Sequence, residues 1–484
     1  MAESLKNKTV KGVGWSAADN VLNQGVTFLV GLVLARLLSP EEYGLIGIIT
    51  IFISVFNAIV DSGFSNALIR EKNATNEDYN TVFFTNLIVS VFLSLILFFS
   101  APLIANFFSQ PMLVSLTKVM SVIIVINALA IIQRTIFIKQ INFKAQTKVS
   151  AISSLSSAAV GIYMAYAGFG VWSLVGQQIS RQFINTLFLW IFSPWRPCLQ
   201  YSKKSFRKLF GFGWKLLLAG LIDTIWREMY QVVIGKFYNA RTLGLFSRAQ
   251  QFSLIFSSNI TSVVQRVSYP VLSEIQDDND KLKFAYKKII KTTMLFTFTC
   301  MLSLAGCAKP IIILLIGEKW AQCIPYLQII CFQMILYPLH ALNLNMLQVK
   351  GRSDIFLKLE IVKKVIACIP IVLGVLVSIE IMLIGSVIVG MISYYLNAYY
   401  SKDLIGYGVK EQVRDILPSF FIAFGVFIIM IAESFIVDNI YILLLLQLST
   451  GFLFFFIANE VLKNEEYLDS KILLLGILRK LHHK

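Results

Sequence analysis

The chain has 484 residues, of which 57% are hydrophobic types and 14% are charged, and its mean hydropathy is +0.72. Soluble domains are roughly half apolar and about a quarter charged, so this composition excludes a soluble enzyme, a disordered chain and a secreted disulfide scaffold. A membrane-crossing helix needs roughly 20 apolar residues, and the apolar content suffices for about a dozen or more such helices. We therefore predict an all-α integral membrane protein.

Lysine and arginine number 43 against 27 acidic residues, which gives a net charge of +16. In a soluble protein this excess would suggest a nucleic-acid partner. No loop is long enough to hold a nucleic-acid-binding module, so we expect no such partner. The six cysteines lie mostly in apolar stretches without CxxC spacing, which is typical of buried thiols and not of a disulfide framework or a metal site.

Fourteen apolar segments of helical length follow one another along the chain. Six lie before a polar interval at 194–208, six lie after it, and two more complete the chain. The predicted spans lie near 13–37, 42–66, 81–106, 113–133, 149–168, 171–193, 209–235, 243–265, 289–308, 321–347, 359–379, 381–400, 416–434 and 439–461.

The cationic residues test this count. If both termini are cytoplasmic, 33 of the 43 lysines and arginines fall on the cytoplasmic side, the interval 134–148 included, and only 5 fall outside. The other five lie within or at the edge of spans. Cytoplasmic loops of membrane proteins carry such an excess of lysine and arginine, and one miscounted span would scramble it. The charges therefore predict fourteen helices with both termini in the cytoplasm.

Two stretches recur at an offset of 199 to 200 residues. GVGW at 12–15 matches GFGW at 211–214, and the run at 34–45 matches the run at 234–245. Transporters built from such repeats bind substrate between the halves and work by rocking one half against the other. We predict an N-terminal six-helix lobe (1–193), a cytoplasmic linker (194–208), a C-terminal six-helix lobe (209–400), an additional helix pair (401–463) and a basic interfacial tail (464–484).

Several motifs carry a family resemblance over nearly the whole chain. They are LARLLSPEEYGL at 34–45, DSGFSNALIR at 61–70, LFSRAQ at 245–250, YPVLSEIQ at 269–276 and KLEIVKK at 358–364. Together they resemble the Wzx-type polysaccharide flippases, in particular their WzxC-like branch, within the multidrug/oligosaccharidyl-lipid/polysaccharide exporter superfamily. The resemblance implies a flippase of the bacterial cytoplasmic membrane. It would move undecaprenyl-pyrophosphate-linked oligosaccharide units to the outer leaflet by alternating access, for surface polysaccharide or lipopolysaccharide assembly.

Other functions stay open beside this one. A cation-coupled multidrug exporter of the same superfamily and a flippase for the peptidoglycan lipid precursor both fit the topology. A glycosyltransferase or polymerase would need acidic catalytic motifs on a sizeable loop, and a Walker motif is absent from the sequence, so we expect no enzyme. Expected partners are the lipid-linked oligosaccharide and membrane lipids, with the polymerase and glycosyltransferases of the same pathway as further candidates.

A pyrophosphate headgroup needs a wet cationic cavity, because an unpaired anion in hydrocarbon is very costly. Cations at membrane depth are candidates for binding it, arginine above all, since its guanidinium binds phosphate with two parallel hydrogen bonds. The candidates are Arg227, Arg248, Arg181 and Lys215. The competing interpretation is a structural ion pair, since Asp223 and Arg227 are spaced i,i+4 on one helix.

Acidic residues at depth suggest ion coupling. The resemblance places Asp19 in span one and Asp223 in span seven as candidates for coupling transport to Na⁺ or H⁺. Amide side chains cluster in spans one and six and suit sugar hydroxyls, although interhelical hydrogen bonding explains them equally well. We predict no catalytic residue, no metal site and no organic cofactor.

Overall fold

The computed structural model describes residues 2–61 and 63–482; side chains are described from residue 15 onward, apart from 16–18, 21, 353, 473–474 and 477–482. All regular elements of this part of the chain are helices. The first ten are α1 (Ala2–Leu37), α2 (Pro40–Asp61), α3 (Phe64–Arg70), α4 (Asn76–Phe108), α5 (Leu113–Met120), α6 (Val122–Lys139), α7 (Phe143–Tyr166), α8 (Trp172–Phe192), α9 (Lys203–Phe237) and α10 (Ala240–Glu274).

Ten further helices follow, with one 3₁₀ turn at Glu318–Trp320. They are α11 (Asn279–Gly306), α12 (Ala308–Ile316), α13 (Cys323–Met334), α14 (Tyr337–Val349), α15 (Ser353–Leu376), α16 (Ile379–Tyr399), α17 (Ser401–Ile405), α18 (Val409–Ile436), α19 (Ile440–Val461) and α20 (Glu465–His482). Each of the fourteen predicted spans coincides with one of these helices or with a consecutive pair. The prediction of an all-helical protein is confirmed.

Ten of these helical segments are long and apolar enough to cross a membrane, judged on the described residues. They are Pro40–Arg70, Asn76–Phe108, Leu113–Lys139, Phe143–Tyr166, Lys203–Phe237, Asn279–Gly306, Cys323–Val349, Ile379–Ile405, Val409–Ile436 and Ile440–Val461, and Leu22–Leu37 is a shorter apolar helix. The chain is therefore a multi-pass membrane protein. The total of fourteen spans and the side on which the termini lie stay predictions.

The helices form two compact units, residues 1–247 and 248–484. The first unit extends beyond the predicted N-terminal lobe, because α9 packs against α2, α3 and α4. A cluster of buried side chains at these contacts includes Phe64, Phe83 and Leu209. The predicted lobes are defined by the sequence repeat, and their boundaries stay a prediction.

The predicted linker at 194–208 lies against the beginning of α4. The Cys198 backbone N–H donates to Asn80 Oδ1 (2.9 Å), and the Ser202 N–H donates to Thr81 Oγ1 (3.0 Å). The Ser202 hydroxyl in turn accepts from the Ser205 N–H and caps α9. The linker is thus an ordered connection that fixes where α9 begins.

Gly44 and Gly244 occupy equivalent positions of the sequence repeat, near the beginnings of α2 and α10. A Cβ on Gly44 would lie 1.7 Å from the carbonyl oxygen of Ala240, and a Cβ on Gly244 would lie 1.8 Å from that of Pro40. Because Pro40 and Ala240 are also equivalent in the repeat, the contact is reciprocal, like a contact across a twofold axis. The two helices cross backbone to backbone, which glycine on both sides allows.

A second close approach joins the corner between α2 and α3 to α9. Gly63 has φ of 67°, in the left-handed region that glycine adopts without strain. A Cβ here would lie 2.5 Å from the carbonyl oxygen of Gly213 on α9. The end of α2, at Asp61, is thereby held close to α9.

A buried hydrogen-bond network connects the helices of the second unit. Asn343 Oδ1 on α14 accepts from the Tyr286 hydroxyl (3.0 Å), from Gln412 Nε2 (3.1 Å) and from the Ser401 hydroxyl (3.2 Å). Asn343 Nδ2 donates back to Gln412 Oε1 (3.2 Å). All four side chains are fully buried, so the network holds α11, α14, α17 and α18 together.

The predicted interfacial tail forms α20; residues 483–484 of the prediction lie outside the described part. Its first turns are acidic and pair with lysines of α11. Lys288 Nζ lies 2.8 Å from Asp469 Oδ2, and Lys291 pairs with Glu466, both side chains being mostly buried. The tail is therefore docked onto α11 at its beginning.

Candidate functional site

Two polar cavities adjoin each other inside the first unit. We call them the α9 cavity, of about 540 Å³, and the α8 cavity, of about 480 Å³; both have the size of small-molecule sites. The polar residues of the α9 cavity are Ser54, Asn57, Asp61, Ser65, Asn66, Asn127, Arg134, Thr135, Thr224 and Arg227. Those of the α8 cavity are Thr27, Thr50, Arg134, Gln177, Gln178, Arg181, Gln182 and Asn185.

Arg134 on α6 lines both cavities. The predicted span ends at residue 133 and leaves Arg134 to the following loop, but the residue lies within α6. The apolar run ends before residue 134, but α6 continues to Lys139, which places the guanidinium inside the helix bundle. Asn127 and Ile131 line the α9 cavity on the same helix. Their spacing to residue 134 is that of one helix face, and this period was the signal that sequence reasoning missed.

A chain of amides connects the two cavities. Gln182 Nε2 donates to Asn127 Oδ1 (3.0 Å), and Asn127 Nδ2 donates to Asn57 Oδ1 (3.0 Å). The three residues lie on α8, α6 and α2. The amides predicted in span six therefore serve as interhelical bonds and also present polar groups to the cavities.

Arg181 and Asp19, which the sequence assigns to substrate binding and ion coupling, interact electrostatically. Arg181 Nη1 donates to Thr27 Oγ1 (3.2 Å), and Asp19 accepts from Asn23 Nδ2 (2.8 Å). The charges of Arg181 and Asp19 act on each other. The α8 cavity thus contains a guanidinium that the carboxylate of Asp19, on α1, stabilises electrostatically.

Arg227 lines the α9 cavity, as a substrate-binding role requires. Its Nε lies 3.7 Å from Oε1 of Glu228, and the Arg227 side chain is 64% exposed whereas that of Glu228 is 9% exposed. Gln231 also donates to Glu228 (2.8 Å). Asp223 is exposed on α9 and is not among the described residues that line the two cavities.

The other two predicted cations lie elsewhere. Arg248 begins the second unit; its side chain is 7% exposed and donates to Gln251. Lys215 is exposed on α9 and, like Asp223, is not among the described residues that line either cavity. The structure therefore brings together Arg181 and Arg227 from the predicted set and adds Arg134.

Each of the three cavity arginines interacts electrostatically with a carboxylate. Arg181 interacts with Asp19 and Arg134 with Asp61, and Arg227 pairs with Glu228. A cation away from bulk water needs such a partner. An arriving anion competes with these carboxylates for the guanidinium groups, while the amides offer hydrogen bonds to hydroxyl groups. The site is suited to a ligand that is both anionic and rich in hydroxyls.

The family described as "Polysaccharide biosynthesis protein" matches residues 33–325. The chain belongs to this family. The match includes α2, α3, α6, α8 and α9, and therefore most of the residues that line the two cavities.

Among the relatives is the succinoglycan biosynthesis transport protein ExoT of Rhizobium meliloti, 26% identical over 68% of this chain and 66% of that protein. The lipopolysaccharide biosynthesis protein WzxC of Escherichia coli is 24% identical over 87% of this chain and 86% of that protein. The teichuronic acid biosynthesis protein TuaB of Bacillus subtilis is 23% identical over 73% of each. The resemblance inferred from the motifs is confirmed.

Solved structures share the fold. The lipid II flippase MurJ, in an inward closed conformation, superposes with a TM-score of 0.75 at 16% identity, covering 94% of this chain and 99% of that chain. An inward-facing multidrug resistance transporter of the MATE family has a TM-score of 0.60 at 17% identity, covering 79% and 94%. These likenesses confirm the predicted fold of an all-helical membrane protein.

Proposed function

We propose that the chain translocates a lipid-diphosphate-linked oligosaccharide from the inner to the outer leaflet of the bacterial cytoplasmic membrane, for surface polysaccharide assembly. The observation that carries the proposal is the pair of adjoining cavities, with Arg134 and Arg227 in one and an amide-rich wall beside Arg181 in the other. The names of the relatives, which refer to the biosynthesis of three different polysaccharides, support this substrate class.

The diphosphate and the sugar of such a headgroup each fit a different one of the two cavities. A diphosphate is a compact anion, and arginine binds phosphate oxygens with two parallel N–H donors. The α9 cavity presents Arg134 and Arg227 for this group. Sugars bring many hydroxyls, which both donate and accept, and Gln177, Gln178 and Asn185 of the α8 cavity can do the same. We therefore place the diphosphate in the α9 cavity and the sugar beside it.

Ion coupling is part of the proposal. Asp19 interacts electrostatically with Arg181, which lines the cavity that we assign to the sugar, so that occupation of this cavity changes the affinity of Asp19 for H⁺ or Na⁺. Asp19→Asn should therefore abolish any dependence of transport on a proton or sodium gradient. Asp223→Asn tests the second candidate acid in the same assay. Retention of the full gradient dependence by both variants would contradict a coupling role for either residue.

The test is translocation by the purified full-length chain in liposomes. A polyprenyl-diphosphate oligosaccharide is incorporated into both leaflets, and an added galactose oxidase labels the sugars that reach the outside. Wild type should expose the inner pool within the assay, and Arg134→Gln and Arg227→Gln should slow this by at least tenfold. Arg207→Gln, an exposed arginine of α9 outside the cavities, is the matched control.

Arg248 is tested separately, because it lies in the second unit. Arg248→Gln should reduce translocation if that residue contacts substrate in another conformation. If Arg134→Gln, Arg227→Gln and their double variant all translocate like Arg207→Gln, the assignment of the cavity is wrong. If wild type moves no lipid-linked oligosaccharide, the proposed function is wrong.

Two other functions within the superfamily are separated by the choice of substrate. Peptidoglycan lipid precursor also carries a diphosphate, so equal rates with that lipid would favour a precursor flippase. A cationic drug is disfavoured by three arginines, and dye efflux by cells that express the chain would contradict our proposal. We further propose that the chain acts without catalysis, beside the glycosyltransferases that make its substrate and the polymerase that uses it.

A further inference from the structure

Asp61 is an acidic residue in the wall of a cavity that we assign to an anion. It is the last residue of α2, and it lines the α9 cavity together with Arg134 and Arg227. A carboxylate at this place repels a diphosphate. Its presence therefore calls for a function other than direct binding of the substrate.

The surroundings of Asp61 indicate what that function is. The carbonyl end of α2 carries partial negative charge and does not stabilise a carboxylate. The favourable neighbours are the Ser65 hydroxyl, which donates to Asp61 Oδ1, and Arg134, on which the charge of Asp61 acts. The fixed corner at Gly63, packed on Gly213, holds the carboxylate near α9.

Arg134 has the complementary requirement. It lies at the junction of the two cavities, where a guanidinium without an anion is unfavourable in the empty transporter. A transporter must also release its ligand, so a binding site must not hold it too tightly. A resident carboxylate meets both requirements, because it neutralises Arg134 when the cavity is empty and competes with the substrate when it is full.

We propose that Asp61 is the exchangeable counter-ion of Arg134, which the substrate diphosphate displaces on binding and which displaces the diphosphate on release. The inference rests on the proposed function and deepens it. Asp61 would thereby determine how tightly the substrate diphosphate binds and how fast it is released. Removal of the negative charge should therefore strengthen binding and slow turnover, whereas loss of an ordinary binding residue weakens binding.

The experiment measures binding of farnesyl diphosphate to the full-length chain in nanodiscs. For Asp61→Asn we expect a Kd about tenfold lower than for wild type, which corresponds to about 1.4 kcal/mol, and slower translocation of lipid-linked oligosaccharide at saturation. Asp61→Ser is the second neutral replacement, in case Asp61→Asn fails to fold. Glu77→Gln removes an exposed acid of α4 that lines neither cavity and should leave the Kd unchanged.

A double-mutant cycle tests whether Asp61 acts through Arg134. In the Arg134→Gln background, Asp61→Asn should tighten binding less than threefold. An unchanged or higher Kd for both neutral variants overturns the inference, and so does a full tenfold gain in the absence of Arg134. If these binding results fail while wild type still translocates lipid-linked oligosaccharide in liposomes, the inference alone is wrong and the proposed function stands. If wild type neither binds farnesyl diphosphate nor translocates the oligosaccharide, the proposed function is wrong and the inference falls with it.

Discussion

Gly44→Ala tests the reciprocal crossing of α2 and α10. The new Cβ would lie 1.7 Å from the Ala240 carbonyl oxygen, and since ordinary contact begins at 3.4 Å, the two backbones must move apart by about 1.7 Å. Forced overpacking of this kind costs about 1–3 kcal/mol. Alanine gains up to about 1 kcal/mol over glycine in a helix. We therefore expect the free energy of unfolding to fall by about 1 kcal/mol relative to wild type, and to lie about 2 kcal/mol below that of a glycine-to-alanine variant whose Cβ meets no neighbour.

The assay is equilibrium unfolding of the purified chain in detergent, followed by tryptophan fluorescence. Gly244→Ala should behave like Gly44→Ala, and the double variant should lose less than the sum, because one separation of the helices relieves both contacts. Gly25→Ala is the matched control, since a Cβ there meets nothing within 4 Å and should stabilise α1. If Gly44→Ala and Gly244→Ala are as stable as Gly25→Ala, the close crossing is refuted.

Three further predictions concern other polar contacts. Asn343→Leu leaves three buried donors without their acceptor and should lower the free energy of unfolding by about 3 kcal/mol, measured by the same unfolding experiment. Asn127→Leu removes both bonds of the amide chain and should cost about 1–3 kcal/mol, whereas Asn66→Leu, on the exposed rim of the α9 cavity, should be neutral. Lys291→Met should loosen α20 and speed its cleavage by chymotrypsin severalfold, and an unchanged rate, equal to that of Lys281→Met, would contradict the docking of α20 on α11.

Much of the fold was predictable, because the lengths of the apolar segments and the internal sequence repeat are strong signals. Each predicted span coincides with a helix, and the matching runs at 34–45 and 234–245 end in two helices that cross at Gly44 and Gly244. What periodicity does not reveal is which helices become neighbours. The packing of α9 with α2, α3 and α4 depends on close contacts such as that of Gly63 with Gly213, which leave no pattern in the sequence.

The cavity residues were predictable only in part. Arg181 and Arg227 were selected because they interrupt apolar spans, and the structure places both beside cavities. Arg134 was missed because it follows an apolar run and resembles a loop cation, although its helix continues. Arg248 interrupts a span in the same way as Arg227 but is buried beside Gln251 in the second unit. The position of an arginine within an apolar span identifies it as a candidate for substrate binding, whereas the packing of the neighbouring helices determines whether it lines a cavity.

The hydrogen bonds centred on Asn343 have a consequence for how the second unit tolerates sequence change. In the bilayer, apolar side chains distinguish poorly between one helix partner and another, because lipid acyl chains are as apolar as the side chains of a neighbouring helix. The identity of neighbours must then be encoded by a few directional bonds, and here one amide serves four helices at once. Positions on the outer faces of these helices are thereby free to drift among apolar types during evolution, while the buried amide holds the arrangement constant.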